Sequence, residues 1–148
     1  MTGRDDSAFR LGMARTLCGR ARQALERREW REAALFARGA VEASAKAVVA
    51  CFTGVPRSHE PSAMLRDVRA LPEFPEALQG EAQVLVGAWA AYGMAEHVLL
   101  SYGDERNRID PWSLVTEARA AAAVGAAGEA VGFAERCRAV VFPTVPGE

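Results

Sequence analysis

The sequence predicts an all-α protein, an up-and-down bundle of four or five helices. Three observations carry that prediction. Apolar residues recur at helical spacing through most of the chain. Alanine is abundant, and no stretch reads as a strand. The periodic runs are separated by short segments rich in Pro, Gly and acidic residues, as short helix connections require. With 148 residues the chain is sized for one domain, assigned here to residues 1–142, with 143–148 as a short tail.

The first helix is expected from Ser7 or Ala8 to Arg28, with Asp5, Asp6 and Ser7 at its start. Phe9, Met13, Leu17, Ala21 and Leu25 recur every four residues and predict its buried face. The second helix, Trp30 to Phe52, is the expected centre of the bundle. Its stripe is Trp30, Ala33, Phe36/Ala37, Ala40/Val41, Ala45, Val48 and Phe52, and its alanines admit neighbours on nearly every side. Gly54 suits its C-terminal cap and Pro56 prevents continuation.

A short third helix is expected from Pro61 to about Leu71, then Phe74 between two prolines as a plug. The fourth helix is expected from Pro75 to Leu100, with a seam of Leu78, Ala82, Leu85, Trp89 and Tyr92 that Glu96 continues. Ser101 to Pro111 is the most polar stretch, and Asp110-Pro111 starts the last helix, expected to run to Val141. Leu114, Ala118, Ala121, Gly125 and Gly128 trace its expected face, which Val124, Val131 and Val140 broaden. Gly125, Gly128 and Gly132 predict close backbone approach, within the bundle or across a dimer.

Composition narrows the function classes. A net charge of −1 gives no global pull toward nucleic acid or acidic membranes. The basic residues are Arg except Lys46, and with the Ala content this bias predicts a GC-rich prokaryotic genome. Cys18, Cys51 and Cys137 are odd in number and far apart, which predicts reduced, buried thiols. The N-terminal residues lack an apolar signal core, and the uncharged run Ala82–Ala95 is too short for a bilayer. A cytoplasmic protein with no membrane association is expected.

Chemical motifs are sparse. GAAGEAVG lacks the preceding strand and the glycine spacing of a nucleotide loop. His59 and His97 are the only histidines. Glu60 and Glu96 adjoin them without sharing a helix face, so no metal site and no cofactor is expected. No catalytic residue set is evident. Glu42 and Lys46, at i,i+4, read either as a helix-surface ion pair or, Lys46 being the sole Lys, as a phosphate or carboxylate contact beside a cleft. Arg106 and Arg108 precede a helix N-terminus. They read either as a salt-bridged loop or as an anion site, with Tyr102 and Trp112 as stacking surface.

AVEASAKAVV with Glu42 and Lys46, TGVPRSHEP with Gly54 and His59, and YGDERNRIDP with Arg106, followed by Trp112 and an Ala-rich helix, together resemble the HEPN family (higher eukaryotes and prokaryotes nucleotide-binding). The resemblance implies a homodimeric helical bundle and two functional branches. One is a metal-independent ribonuclease marked by an Arg followed four to six residues later by a His. No His follows Arg106 or Arg108, and Arg57 precedes His59 by too little. The other branch pairs with a minimal nucleotidyltransferase, in toxin–antitoxin-like couples, and binds nucleotide. The expectation is therefore a non-catalytic domain that binds a nucleotide or RNA phosphate through Arg106, Arg108, Lys46, Glu42, His59 and Tyr102, or partners a nucleotidyltransferase. The alternatives are a diverged ribonuclease toxin and a ligand-free helical adaptor.

Overall fold

The computed structural model describes residues 2–144, and the expected tail lies outside them from residue 145 on. The described residues are helical nearly throughout, with no strand beyond one isolated bridge between Asp104 and Ile109. Helix α1 spans Gly3–Glu26, α2 Trp30–Ala50, α3 Pro61–Arg69, α4 Gln79–Trp89, α5 Met94–Tyr102, α6 Pro111–Leu114 and α7 Glu117–Val141. Short 3-10 turns, Glu76–Leu78 and Ala90–Tyr92, flank α4.

Helix α2 is central, touching α1, α3, α5, α6 and α7. Its alanines explain this position. With Ala at 33, 34, 37, 40, 43, 45, 47 and 50 buried, neighbouring helices approach on several sides without displacing bulk.

Helix α1 begins earlier than its acidic cluster suggested. Thr2 caps it, and Thr2 and Asp5 satisfy each other's backbone N–H groups in a capping box. Its buried face matches the expected one only in part: Ala21 is buried and Leu17 and Leu25 pack against the core. Ser7, Leu11, Ala14, Cys18, Ala21 and Ala24 face the bundle, while Phe9 and Met13 are 59% and 46% exposed. Alpha-helical spacing fits both stripes, and the stripe of smaller residues is the one that fits against α2.

The expected fourth helix is two helices. At Gly93 the backbone is extended (φ −84°, ψ −162°), and a 3-10 turn precedes it. The glycine leaves room for a side chain from another segment. A Cβ there would stand 2.0 Å from the Glu60 carboxylate, which accepts the Met94 N–H at 2.9 Å and so caps α5 from a different segment. Leu78, Ala82, Leu85 and Trp89 are buried as the seam requires, and Trp89 meets Phe133 edge-on at 6.2 Å. By length and composition alone the run Glu76–Tyr102 is apolar enough to cross a membrane, with 22% of its most apolar window buried.

The last helix is also divided. Asp110 caps α6, accepting from Ser113 N at 2.8 Å, and Thr116 caps α7. The buried residues of α7 are Ala120, Ala123, Val124, Ala127, Ala130, Val131, Phe133, Ala134 and Cys137, so Val124 and Val131 are buried as expected while Val140 and the glycine-bearing line are not. A Cβ at Gly125 would meet open space. At Gly128 and Gly132 it would meet the guanidinium groups of Arg22 and Arg136. These glycines therefore do not mark close backbone approach within the bundle. Helix α2 ends at Ala50 with Cys51 as its cap residue, so Gly54 lies in the connector and is not a cap.

Candidate functional site

The middle of α2 carries one charged residue in its buried stripe. Arg38 is 3% exposed. Its Nε donates to the Gly93 carbonyl at 3.2 Å. Its Nη2 donates to the His59 carbonyl at 3.1 Å and to Glu42 Oε1 at 3.3 Å. A guanidinium has donors for all three and no acceptor, so it fits this place where a lysine point charge would not. It joins α2 to the connector after α2 and to the break before α5.

His59 is positioned by that network. Its carbonyl is held by Arg38 and its Nδ1 lies 2.6 Å from Glu42 Oε1. A carboxylate only accepts, so Nδ1 carries a proton, and Nε2 is left facing outward from the pair. The ring is half exposed. It stacks on His97 of α5, with centroids 6.1 Å apart and planes 7° from parallel. His97 Nδ1 is buried and has no hydrogen-bond partner. One residue before His97 in α5, Glu96 accepts from Arg119 Nη2 with both carboxylate oxygens, at 2.8 and 2.7 Å, joining α5 to α7. Tyr92 lies near them, and burial, with the Glu96 charge second, pushes its phenol above the usual range.

The Glu42/Lys46 ion pair expected from i,i+4 spacing is not formed. Glu42 turns to Arg38 and His59 instead. Lys46 is half-buried and has no ion-pair partner among the described residues. It remains about one helical turn from Glu42 on the same face, roughly 6 Å between Cβ atoms.

The polar turn lies elsewhere. Tyr102, Arg106 and Arg108 are exposed, with Tyr102 at 66%. The turn is closed by the Asp104–Ile109 bridge and by Asn107 on Asp104. Gly103 at φ 75° and Arg108 at φ 56° make its reversal. A Cβ on Gly103 would stand 2.2 Å from the Ile109 carbonyl oxygen. The turn is anchored to the N-terminal end of α2. Trp112 Nε1 donates to Glu32 at 2.7 Å, Arg31 lies over the Trp112 ring at 5.1 Å, and Arg31 Nε donates to the Leu100 carbonyl. From Glu32 to Glu42 along α2 is about 15 Å at the α-helical rise. The six residues proposed from sequence thus divide into two groups. Glu42 and His59 touch, with Lys46 one turn on, while Tyr102, Arg106 and Arg108 form a separate exposed turn.

Arg38 and His97 were not singled out as site residues from sequence. Arg38 carried a readable signal, a lone Arg between Ala34, Ala37 and Val41 with Glu42 at i+4. His97 became part of the site only because Gly93 breaks the helix before it. No three His, Cys, Asp or Glu side chains gather as a metal site among the described residues. A cavity of about 630 Å³ runs along α1 and one of about 370 Å³ lies beside Cys51, and neither reaches His59.

An Ala-rich central helix, a buried Arg that fixes a Glu–His pair, and helices wrapped around them define a small all-α domain with a histidine site on its surface. The sequence matches the model of the HEPN domain family over residues 8–137, and the chain belongs to that family. No curated protein and no solved structure gives a significant match.

Proposed function

We propose that this HEPN domain binds the phosphate of a nucleotide or of RNA at Glu42, His59, His97 and Lys46, without cleaving it. The observation that carries this reading is His59. Its Nδ1 is fixed by Glu42, its ring is half exposed, and an unpaired lysine lies one turn away. A protonated imidazole and an ammonium group supply charge and donors for a phosphate oxygen. Glu42 does not repel the anion outright, because Arg38 and His59 share its charge. Arg38 itself is committed to two backbone carbonyls and is buried, so it is not free to stabilise a phosphorane. That commitment, with no His after Arg106 or Arg108, favours binding over catalysis. Thermal shift and calorimetric titration with ATP, GTP and a short oligoribonucleotide test the reading. Binding that His59→Ala or Lys46→Ala weakens about tenfold or more supports it. No shift with any of the three contradicts it and favours the ligand-free adaptor.

A second reading has its own observation. A histidine oriented through Nδ1 by a carboxylate, with a second imidazole stacked beside it, suits general acid–base chemistry on a 2′-hydroxyl. This is the diverged ribonuclease. RNA cleavage lost in His59→Ala supports it, and intact RNA excludes it.

For partners, a homodimer through the outer face of α1 is proposed. Phe9, Gly12, Met13 and Thr16 line an apolar cavity there, with Asp5 toward one end of the helix and Arg20 toward the other. Asp5 and Arg20 stand equally far from the midpoint between Gly12 and Met13. An antiparallel second copy would therefore set apolar centre on apolar centre and Asp5 against Arg20. A minimal nucleotidyltransferase is the proposed second partner, on the family resemblance alone. A cytoplasmic location is proposed with it. The break at Gly93 and the buried seam of α4 favour a packed helix pair over a membrane span for Glu76–Tyr102.

A further inference from the structure

Helices α1 and α7 pair antiparallel: Ser7 meets Arg138, Arg15 meets Glu135, and Arg22 lies over Gly128. Where the start of α1 meets the end of α7, a cavity of about 260 Å³ opens between them. Arg4, Leu11 and Arg15 line it from one side, and Glu135, Arg138 and Phe142 from the other. Both sets recur at helical spacing, so each helix turns one face to the cavity. It shares no residue with the histidine site.

Arg138 is half-buried and firmly held. Its Nε donates to the Ser7 hydroxyl at 3.0 Å and its Nη2 to the Arg4 carbonyl at 3.3 Å. Ser7 is fully buried and gives its own proton to the Ala47 carbonyl of α2 at 2.7 Å. The guanidinium carbon lies 5.8 Å from the centre of the Phe142 ring. These contacts fix the group along its Nε–Nη2 edge. The edge between the two Nη atoms has no acceptor among the described residues. It presents two parallel N–H donors, which match two oxygens of one anion.

The charge is uncompensated as well. Arg15 has a carboxylate partner, Glu135 at 3.2 Å. Arg4 and Arg138 form no ion pair among the described residues. The C-terminal end of α7 and the Phe142 ring offset part of the Arg138 charge, but neither takes up its free edge. A guanidinium drawn half out of water and held by neutral groups is stabilised by a counter-ion.

We propose that this cleft is a second anion site, separate from the histidine site, and that it takes a phosphate ion or the phosphate of a small monoester. Arg138 binds two phosphate oxygens through its free edge. Arg4, exposed on the first turn of α1, reaches a third. Glu135 stays with Arg15 and leaves the anion unopposed. The cavity is smaller than the roughly 300–1,000 Å³ of pockets that enclose a drug-sized ligand, so a phosphate group enters it and a whole nucleotide does not. Through Ser7 and the Ala47 carbonyl, the bound phosphate braces α1 and α7 against the end of α2.

The test is calorimetric titration of the full chain with inorganic phosphate and with methyl phosphate, against sodium chloride at matched ionic strength. It is run in the wild type and in the His59→Ala, Lys46→Ala double variant, which removes the histidine site. One saturable equivalent is expected to persist in the double variant. Adding Arg138→Gln or Arg4→Ala is expected to weaken that binding about tenfold or more. Arg4 is exposed, so Arg4→Ala decides the matter if Arg138→Gln fails to fold. Tighter binding of phosphate assigns the free ion and tighter binding of methyl phosphate a monoester, and either supports the site. Unchanged affinity in either folded variant, no phosphate binding once the histidine site is removed, or an equal response to chloride would overturn the proposal.

Discussion

Glu42 Oε1 accepts from His59 Nδ1 at 2.6 Å, while Lys46, its expected partner one turn away, forms no ion pair. One carboxylate oxygen thereby serves both the buried Arg38 and the exposed histidine. The half of the site that is fixed and the half that is free for a ligand share an atom.

Removing the fixed half should be costly. Arg38→Ala is expected to destabilise the domain by about 3 kcal/mol, because it strips Glu42 of a buried partner and leaves the Gly93 and His59 carbonyls without their donor. Arg106→Ala, on the exposed turn, should stay within about 0.5 kcal/mol. Urea denaturation of both variants measures the contrast.

Gly93 and Glu60 should act as a unit. A Cβ at residue 93 drives the Glu60 carboxylate off the Met94 N–H and uncaps α5, costing about 1 kcal/mol. Glu60→Ala removes the same cap. The double variant should therefore cost clearly less than the sum of the singles in a double-mutant cycle. Simple additivity would show that the two residues act separately.

Charge reversal on α1 reports on the dimer. Asp5→Arg and Arg20→Asp are each expected to weaken self-association about tenfold, and the pair together to restore it. Sedimentation equilibrium measures this directly. A chain that stays monomeric at high concentration, or a double variant no better than the singles, would remove the α1 face from consideration.

The exposed turns carry a pH signature. Hydrogen bonds from the Asn107 side chain and backbone hold Asp104 below the usual carboxylate range, and the Ser113 backbone and hydroxyl do the same for Asp110. A depressed folded pKa contributes stability that is complete above the unfolded value, about 4. It is lost as pH falls through the folded value. Asp104→Asn should therefore lower stability at neutral pH and change it little below the folded value, which flattens the acid side of the profile. Denaturant melts across the acid range measure it.

The sequence carried the helical class, the centrality of α2 and the Asp110 cap, because Ala content, period and cap chemistry are local signals. It did not carry the faces of α1 and α7. Phe9 and Met13 repeat as regularly as Leu11, Ala14 and Cys18, and only the fit against α2 decides between the two stripes. The break at Gly93 depends on Glu60, more than thirty residues earlier, and cannot be read from the apolar run around it. The same holds for the site. Glu42 and His59 were visible as residue types, but their contact needs Arg38 to hold the connector.

The most direct test of the phosphate site is to follow both histidine side chains by ¹⁵N-correlated NMR while ATP, GTP or a short oligoribonucleotide is added. The account predicts saturable shifts of the His59 and His97 ring nitrogens, with the Arg106 and Arg108 backbone signals unmoved. Shifts confined to the Arg106–Arg108 turn, or none with any ligand, would contradict it.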